Sequence, residues 1–387
     1  MDLVDLIEML SRGEDTRHQF KVDVTNASQL ASELVAMSNT AGGIILIGVD
    51  DANAVRGLSS DDIHRINQLI ANAASQNVRP PIAVQTSNIE HPKGLVVAVT
   101  VANGLSKPYC DNQGAFWVKN GSDKRRVTAR EELQRMFQDV GLIHADEGAV
   151  AGMGVGELAR DYFGDFFMRE YGTAIDAQHI PLPQLLDNMN LAKNGILNLA
   201  GALLFAARPQ QRLPTFMVKA AAFPGNDLAS TSYLDSRDIV GRLADIHQQC
   251  LSFLAANTSR RQGDQSVNST GEPEIPLIVW EELIANALVH RNYFVMAAVR
   301  LLVFVDRVEI VSPGHLPNNL TVENIKAGNS NIRNPILASF AAKILPYRGL
   351  GSGILRALKA YPDIEFVDDR VGNLFRVIVK RPLSAES

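Results

Sequence analysis

The chain has 387 residues, which is more than one ordinary hydrophobic core organises, so we expect two or three domains. Hydrophobic residues make up 46% and charged residues 20%, which is an ordinary globular composition. The formal net charge of -5 excludes nucleic-acid binding through overall positive charge, so any such contact must come from a local basic patch.

The first predicted unit alternates helices and strands and ends near residue 145. It opens with MDLVDLIEML, a helix whose acids differ from the basic flank of a secretory signal. A second helix over TNASQLASELVAMSNTAGG is capped by Thr25 or Asn26 and stopped by two glycines. The strand IILIGVD, a helix over 60–77, the strand GLVVAVTVA and the strand GAFWVKNG follow. The unit closes with the helix TAREELQRMFQDVG, capped by its threonine.

The remaining chain contains one connection, one long polar loop and a final unit. HADEGAVAGMG indicates a boundary or exposed connection, and TFMVKAAAF is the clear strand of the middle region. NTSRRQGDQSVNSTGEPEIP is typical of a mobile loop. The final unit has a helix, the hairpin AAVRLLVFVDRVEIVSP, a loop-rich stretch to 348, a glycine cluster, a helix and two strands. We therefore expect domains over 1–145, 155–270 and 275–387.

Two bulk features concern the compartment. Cys110 and Cys250 are far apart and lack metal-ligand spacing, so two free thiols in a reducing environment are expected. No apolar run approaches the roughly 18 residues that a membrane span needs. We expect a cytoplasmic protein without a membrane partner.

The stretch WEELIANALVHRNY is predicted to form a helix with an unusual polar face. Glu282, Asn286 and His290 recur every fourth residue, which stacks them along one face. The apolar residues beside and behind that face are Leu283, Ile284, Ala287 and Leu288. By itself the pattern also fits a solvated polar stripe.

A glycine cluster follows downstream in YRGLGSGILRALKAYP. Gly349, Gly351 and Gly353 alternate just before an apolar helix, and such a loop can bring backbone N–H groups close to a phosphate. It is neither a dinucleotide fingerprint nor a Walker loop, because the flanking residues of both are missing. Alone, a flexible loop explains the glycines equally well.

Together, the acid–amide helix and the later glycine cluster resemble the GHKL ATP-binding fold of gyrase-type and sensor-kinase domains. The resemblance implies an α/β sandwich with a mixed sheet, in which Asn286 chelates Mg²⁺ and Glu282 activates the attacking water. ATP and Mg²⁺ are the implied cofactors. The implied site residues are Glu282, Asn286, Ser312, Gly314, Arg333, Gly349, Gly351, Ser352 and Gly353. Arg333 lies where a mobile lid is expected and can reach phosphate or form a structural ion pair.

More closely, ELIANALVHRNY, DRVEIVSPGHLP, IRNPILA and GSGI resemble the divergent GHKL-like domain of bacterial transcriptional regulators. One departure concerns base recognition. The family carries an Asp-x-Gly-x-Gly loop whose aspartate reads the adenine amino group, whereas Ser312, Pro313 and Gly314 stand in that place here. Adenine preference is thus implied by the family alone.

The first unit, from GEDTRHQFKVDV to YCDNQGAFWVKNGSDKRRVTAREEL, resembles the Schlafen-type AlbA-like domain, an α+β domain associated with DNA binding. In nuclease members of that family, three acids gather around a metal, as metal-assisted phosphodiester cleavage requires. The corresponding residues here are Glu14, Gln19 and Asp50. Gln19 lacks the charge of a strong ligand, which disfavours nuclease activity, and Glu14 can equally be a solvated turn residue.

A basic patch follows the strand of the first unit. Its candidate phosphate contacts are Lys119, Lys124, Arg125, Arg126 and Arg130. The turn NGSDKRR can present side chains and N–H groups to phosphate, although a solvated basic face has the same composition. No signature of sequence-specific base reading accompanies the patch.

Three functions fit these features. The first is an ATP-binding, nucleic-acid-associated regulator that nucleotide switches, with DNA preferred over RNA and a homo-oligomeric assembly. The second is an ATP-gated, metal-dependent nuclease using Glu14 and Asp50. The third is an interaction subunit of a bacterial defence complex with a degenerate nucleotide pocket. Metal-dependent cleavage would distinguish the second, and nucleotide binding would separate the first from the third.

Overall fold

A computed structural model describes residues 1–261, 271–317 and 320–382. It divides the chain into two compact units, Met1–Ile143 and His144–Ser387. The predicted α+β, multidomain fold class is confirmed, since both units combine helices with sheets. Within the described ranges, no helix has both the length and the apolar character to cross a membrane. Part of the predicted polar loop, 262–270, falls outside these ranges.

The first unit is built on a four-stranded sheet. Its helices are α1 (Leu3–Arg12), α2 (Ala27–Asn39), α3 (Ser60–Gln76) and α4 (Arg130–Asp139). Its strands are β1 (His18–Lys21), β2 (Gly43–Ile47), β3 (Val78–Arg79), β4 (Val84–His91), β5 (Gly94–Val101), β6 (Cys110–Asp111), β7 (Trp117–Asn120) and β8 (Asp123–Arg126). The sheet order is β1-β2-β5-β4, in which β1 and β2 are parallel and the other pairs antiparallel.

Both faces of this sheet are covered, because side chains alternate along its central strand. Ile45 and Ile47 of β2 join the core shared with α2 and α3, whereas Leu46 joins a second cluster with Leu6 of α1. The β7–β8 hairpin packs on α2. Asn26 caps α2 through its side chain, which is one of the two predicted caps.

The second unit contains a larger, six-stranded sheet together with shorter strands outside it. The strands of this unit are β9 (Ala149–Gly154), β10 (Ala192–Lys193), β11 (Ile196–Asn198), β12 (Val218–Ala222), β13 (Asp235–Ile239), β14 (Arg260–Arg261), β15 (Glu272–Pro273), β16 (Val299–Val303), β17 (Arg307–Pro313), β18 (Ile364–Asp369) and β19 (Leu374–Lys380). Its helices are α5 (Arg160–Tyr171), α6 (Leu182–Asn188), α7 (Leu199–Phe205), α8 (Leu243–Asn257), α9 (Leu277–His290), α10 (Val322–Lys326), α11 (Pro335–Ile344) and α12 (Gly353–Ala360).

The large sheet is mixed, with the order β13-β12-β16-β17-β19-β18 and one parallel pair, β12 with β16. Helices α8 and α9 pack against its strands, and α12 packs on α9. One hydrophobic cluster runs from Ala145 to Val379 through the helices and the inner face of the sheet. The middle region therefore contributes β12 and β13 to the same sheet as the C-terminal strands.

Two local predictions were wrong, one was incomplete, and one strand was missed. HADEGAVAGMG begins at the boundary between the two units, but it also contains β9, which pairs with β11, and it buries Asp146. The loop-rich stretch to 348 contains two helices, and α11 is largely buried. Helix α4 begins after Ala129 without a side-chain cap, so its threonine does not cap it. Strand β4 had no predicted counterpart, since its sequence VQTSNIEH is largely polar.

Candidate functional site

Helix α9 carries its acid, amide and imidazole into a pocket. Glu282 is buried, with 4% of its surface exposed, so the solvated-stripe interpretation is wrong for this residue. Asn286 and His290 are half-buried and line the same pocket. The four apolar residues predicted beside this face all belong to the core. The amide Nδ2 of Asn286 donates to the backbone oxygen of Glu282 at 2.7 Å, which turns the nitrogen back to its own helix.

The Glu282 carboxylate is held by an arginine from α12. Its Oε1 accepts from Arg356 Nε at 2.6 Å and lies 2.5 Å from Arg356 Nη2. The remaining guanidinium nitrogen, Nη1, donates to Ser352 Oγ at 2.5 Å, just before α12 begins. By contrast, Glu282 Oε2 is buried without a hydrogen-bond partner. One oxygen of the predicted general base is thus committed and the other is unsatisfied.

Gly353 brings the glycine cluster against this carboxylate. A Cβ at Gly353 would lie 2.4 Å from Glu282 Oε2 and 3.2 Å from Asn286 Nδ2, so only glycine allows the approach. Gly353 is also the first residue of α12, where backbone N–H groups are unpaired within the helix. The acid–amide face of α9 and the glycine cluster, which are distant in the sequence, are therefore neighbours in the fold.

His290 contacts the segment that precedes the glycine cluster. Its Nε2 lies 2.8 Å from the Tyr347 hydroxyl oxygen. Burial lowers the pKa of His290 to about 4, and the positive charge of Arg333 acts in the same direction. Burial also raises the pKa of Tyr347, together with the negative charge of Glu282. Both groups are therefore uncharged near neutral pH.

The pocket is lined by two chemically different groups of residues. The apolar region is lined by Leu283, Ala287, Ile310, Phe366, Phe375 and Val377. The polar region contains Glu282 and Asn286 together with the cations Arg333, Arg348 and Arg356. Among the described residues that line the pocket, the carboxylate comes from Glu282 of α9, and the three arginines come from segments outside α9. A pocket lined by both apolar side chains and cations is suited to a ligand with a flat apolar part and an anionic part.

The residues predicted after the hairpin line the pocket but are used by the fold. The hydroxyl of Ser312 donates to the backbone oxygen of Ala287 at 3.3 Å. Gly314 has a φ of 98°, and a Cβ there would lie 2.4 Å from Asn292 Cβ. Arg333 is buried and donates through Nη2 to the His315 backbone oxygen at 2.8 Å. This bond ties the predicted lid residue to the segment after β17.

Two earlier glycines of the cluster shape the loop. Gly349 and Gly351 both have positive φ, 67° and 70°, which favours glycine. A Cβ at Gly351 would lie 2.3 Å from the backbone oxygen of Gly328, so the loop lies directly against the backbone of the segment after α10. Gly349, Gly351 and Gly353 line the pocket, and Ser352 contacts the pocket residue Arg356.

Three pocket residues had no predicted role. Tyr347, Arg348 and Arg356 surround the glycine cluster in YRGLGSGILR and line the pocket. The sequence contains a signal for a role of the two arginines, because they flank a candidate phosphate loop. The partnership of Arg356 with Glu282 is not visible in the sequence, since it depends on how α12 packs on α9.

The three positions equivalent to nuclease ligands form a different network. Glu14 Oε1 accepts from Gln19 Nε2 at 2.7 Å, and Gln19 Oε1 accepts from the ammonium of Lys119 at 2.6 Å. Asp50 accepts backbone N–H groups of its own turn and pairs with Arg56 at 2.6 Å. In the described ranges, no three Asp, Glu, His or Cys side chains form a metal-binding group.

The electrostatics of this network follow from burial. Lys119 is buried, and burial lowers its pKa, while the carboxylates of Glu33 and Glu14 oppose the shift. The pKa of Asp50 is lowered, mainly by the hydrogen bond from the Ala54 N–H. An internal ammonium, rather than an exposed cation, thus lies beside Gln19.

The predicted basic patch divides into buried and exposed members. Lys124 pairs with buried Glu33 at 2.9 Å, and its Nζ lies 5.8 Å from the ring centroid of Trp117. Arg125 pairs with Glu132, which lowers the pKa of that carboxyl. Arg125 and Arg126 are exposed, and the Arg130 side chain is 93% exposed. The exposed cations of the patch therefore lie on β8 and at the start of α4.

Comparisons with known proteins identify a domain in each unit. Residues 14–128 match the family model described as "Schlafen, AlbA_2". Residues 297–372 match the model described as "Putative ATP-dependent DNA helicase recG C-terminal". The chain thus combines an N-terminal Schlafen AlbA_2 domain with a C-terminal, RecG-like ATPase-like domain.

Two solved structures are similar at low identity. The crystal structure of the DIP2311 protein from Corynebacterium diphtheriae is 19% identical, covers 98% of this chain and 80% of its own, and has a TM-score of 0.47. The second is the solution structure of the N-terminal domain of a putative ATP-dependent DNA helicase RecG-related protein from Nitrosomonas europaea. It is 20% identical, covers 34% of this chain and 96% of its own, and has a TM-score of 0.26. No curated protein matches the chain.

Proposed function

We propose that the His144–Ser387 unit binds ATP in the pocket beneath the glycine cluster. The observation that carries this proposal is the contact of Glu282 and Asn286 with Gly353, the first residue of α12. Free N–H groups at a helix start favour phosphate, and the cations Arg348 and Arg356 stand nearby. The apolar region would hold the base. The match of 297–372 to a family named for an ATP-dependent enzyme supports the same ligand.

The polar end of the pocket fits Mg²⁺. Glu282 Oε2 is a buried carboxylate oxygen without a partner, and Asn286 beside it offers an amide oxygen. Oxygen ligands of this kind suit a hard cation that keeps several waters and bridges phosphates. Asn286 would hold the ion, which would supply neutralisation of phosphate charge when bound. Glu282 would then orient or deprotonate a water, if hydrolysis follows binding.

We further propose that the AlbA_2 domain contacts nucleic acid through exposed cations. Arg125, Arg126 and Arg130 are the exposed members of the predicted patch, and Arg125 is paired with Glu132. Their guanidinium groups would bind phosphate independently of base sequence. The networks around Lys119 and Asp50 disfavour metal-dependent cleavage, because their polar groups already bind one another. DNA is favoured over RNA because the family matched by residues 297–372 is described as a putative DNA helicase C-terminal domain.

Coupling between the two activities would make the protein a nucleotide-dependent regulator. ATP would contact the segment that carries Arg333 and that touches the glycine cluster through Gly328, and would change the position of this segment. A change in that segment would alter assembly into a homo-oligomer or larger complex. Transcriptional regulation and bacterial defence are the settings proposed for such a switch.

Equilibrium binding of ATP with Mg²⁺ tests the central proposal. We expect the wild-type protein to bind, and Asn286→Ala to bind more weakly, because a metal ligand is lost. The matched control is Asn188→Ala, at the exposed end of α6. If a folded Asn286→Ala protein keeps wild-type affinity, the pocket assignment is wrong. Hydrolysis by wild type and by Glu282→Gln, measured in parallel, distinguishes a turnover site from a binding switch.

A further inference from the structure

Arg356 connects the acid of α9 with the start of α12. Its Nε and Nη2 contact Glu282 Oε1, and its Nη1 contacts Ser352 Oγ. The Arg356 side chain is 26% exposed and lines the pocket, whereas the Glu282 side chain is 5% exposed. The Arg356 side chain is therefore partly accessible from the pocket although its guanidinium already has an anionic partner.

The position of this guanidinium is close to where phosphates are expected. Ser352 immediately precedes α12, and Gly353 opens the helix against Glu282 Oε2. A phosphate at the helix start would offer Arg356 an oxygen anion of higher charge than a carboxylate. Arginine donates five N–H groups in a fixed fork, so a change of partner needs only a rotation of the side chain.

We propose that the Glu282 carboxylate and a nucleotide phosphate compete for Arg356. This inference rests on the proposed nucleotide site and concerns its regulation. Arg356 is a positioning residue: bound to Glu282, it keeps that carboxylate occupied, and bound to phosphate, it releases Glu282 to face a metal or a water. Binding of the nucleotide phosphate and release of the Glu282 carboxylate from Arg356 then occur together.

A double-mutant cycle on nucleotide affinity tests the competition. ATP binding is measured in EDTA, which removes the contribution of Mg²⁺ at Glu282 and Asn286. In the wild-type background, Glu282→Gln should tighten ATP binding about fivefold or more, because Arg356 no longer has to break an ion pair with a carboxylate before it binds phosphate. In the Arg356→Met background, the same change should alter affinity much less.

The second background separates competition from simple repulsion. A direct repulsion between Glu282 and phosphate would give equal tightening with and without Arg356, and that result would overturn the inference. No tightening in either background would overturn it too. Failure of the wild-type protein to bind ATP under any condition would instead remove the proposed function, and the inference with it.

Two further variants control for folding. Glu274 and Arg381 form a partly buried Glu–Arg pair at 2.7 Å in the same unit, and neither residue lines the pocket. Glu274→Gln should therefore leave ATP affinity unchanged, so a tightening there equal to that of Glu282→Gln would contradict the proposal. If Arg356→Met does not fold, Arg356→Gln keeps hydrogen-bond donors without the charge and completes the same cycle.

Discussion

The imidazole Nε2 of His290 lies 2.8 Å from the hydroxyl oxygen of Tyr347. This contact joins the end of α9 to the segment that leads into the glycine cluster. A neutral imidazole can accept the tyrosine proton at Nε2, whereas an imidazolium would have only donors. Because burial holds the pKa of His290 at about 4, the accepting form persists through the neutral range. The contact is therefore sensitive to acid.

We expect His290 to make the stability of the folded chain depend on pH. Its pKa is lowered from 6.5 to about 4, so between these values the unfolded chain binds a proton that the folded chain does not. Stability contributed by the neutral ring is complete above about pH 6.5 and falls as pH drops towards 4, by an amount on the order of 3 kcal/mol.

His290→Gln removes this titration and keeps a polar side chain near Tyr347. The unfolding free energies of both proteins are measured by urea denaturation at about pH 7.5 and about pH 4.5. Wild type should lose more stability than the variant over this interval. An equal loss in both proteins would mean that His290 does not titrate in this range.

Gly353→Ala should weaken the site, although alanine normally favours a helix. In open space the change would add roughly 0.5–1 kcal/mol of stability through helix propensity. Here the new Cβ would lie 2.4 Å from Glu282 Oε2, and Arg356 restrains that side chain. We expect a net loss of about 1–3 kcal/mol, together with weaker ATP binding.

Gly225→Ala is the matched control, because a Cβ there meets nothing within 4 Å and its φ is not positive. Thermal unfolding and equilibrium ATP binding are compared for both variants. If Gly353→Ala is as stable as Gly225→Ala and binds ATP equally well, the close approach of α12 to Glu282 is not required.

Much of the site could be predicted from local patterns. The spacing of Glu282 and Asn286, and the glycines before α12, are properties of short segments, and helical periodicity fixes which residues share a face. The hydrogen-bonded partners could not be predicted in this way. Arg356 reaches Glu282 only because α12 packs on α9, which is a tertiary contact.

The same limit explains the errors in the first unit. A run of lysines and arginines indicates a basic surface, but sequence does not tell which cations find a buried acid. Lys124 reaches Glu33 because the β7–β8 hairpin packs against α2, and Lys119 of the same hairpin reaches Gln19 of β1. Tertiary contacts therefore decide which cations of the patch already have a partner.

Asn334 should anchor the end of α9. Its amide Nδ2 donates to the backbone oxygens of Val289 and Arg291 at 2.8 and 2.9 Å, and the side chain is fully buried. Carbonyls in the last turn of a helix have no partner within the helix. Asn334→Ala leaves both unsatisfied, and we expect a loss of roughly 2–4 kcal/mol.

The measurement is urea unfolding, with Asn188→Ala as the control for loss of an exposed asparagine. ATP affinity should also fall, because Asn334 follows Arg333 in the segment that lines the pocket. A variant with wild-type stability would show that water replaces the amide, and that the segment is not held by this residue.

Charge reversal at Arg126 and Arg130 should reduce nucleic-acid binding without disturbing the fold. Both side chains are exposed, whereas reversal of Lys124 would leave buried Glu33 facing a second carboxylate. The double variant Arg126→Glu, Arg130→Glu should weaken binding to DNA of every sequence. Each lost phosphate contact should also reduce the slope of log affinity against log salt by about one unit.

The matched control reverses two exposed cations of the other unit, Lys193 and Arg208, and has the same net charge. Binding is measured by fluorescence anisotropy across a salt series, with and without ATP. A general effect of net charge would weaken both double variants equally, which would exclude a specific patch. If only the Arg126 and Arg130 variant loses affinity and salt dependence, the contact lies at the end of the hairpin and the start of α4.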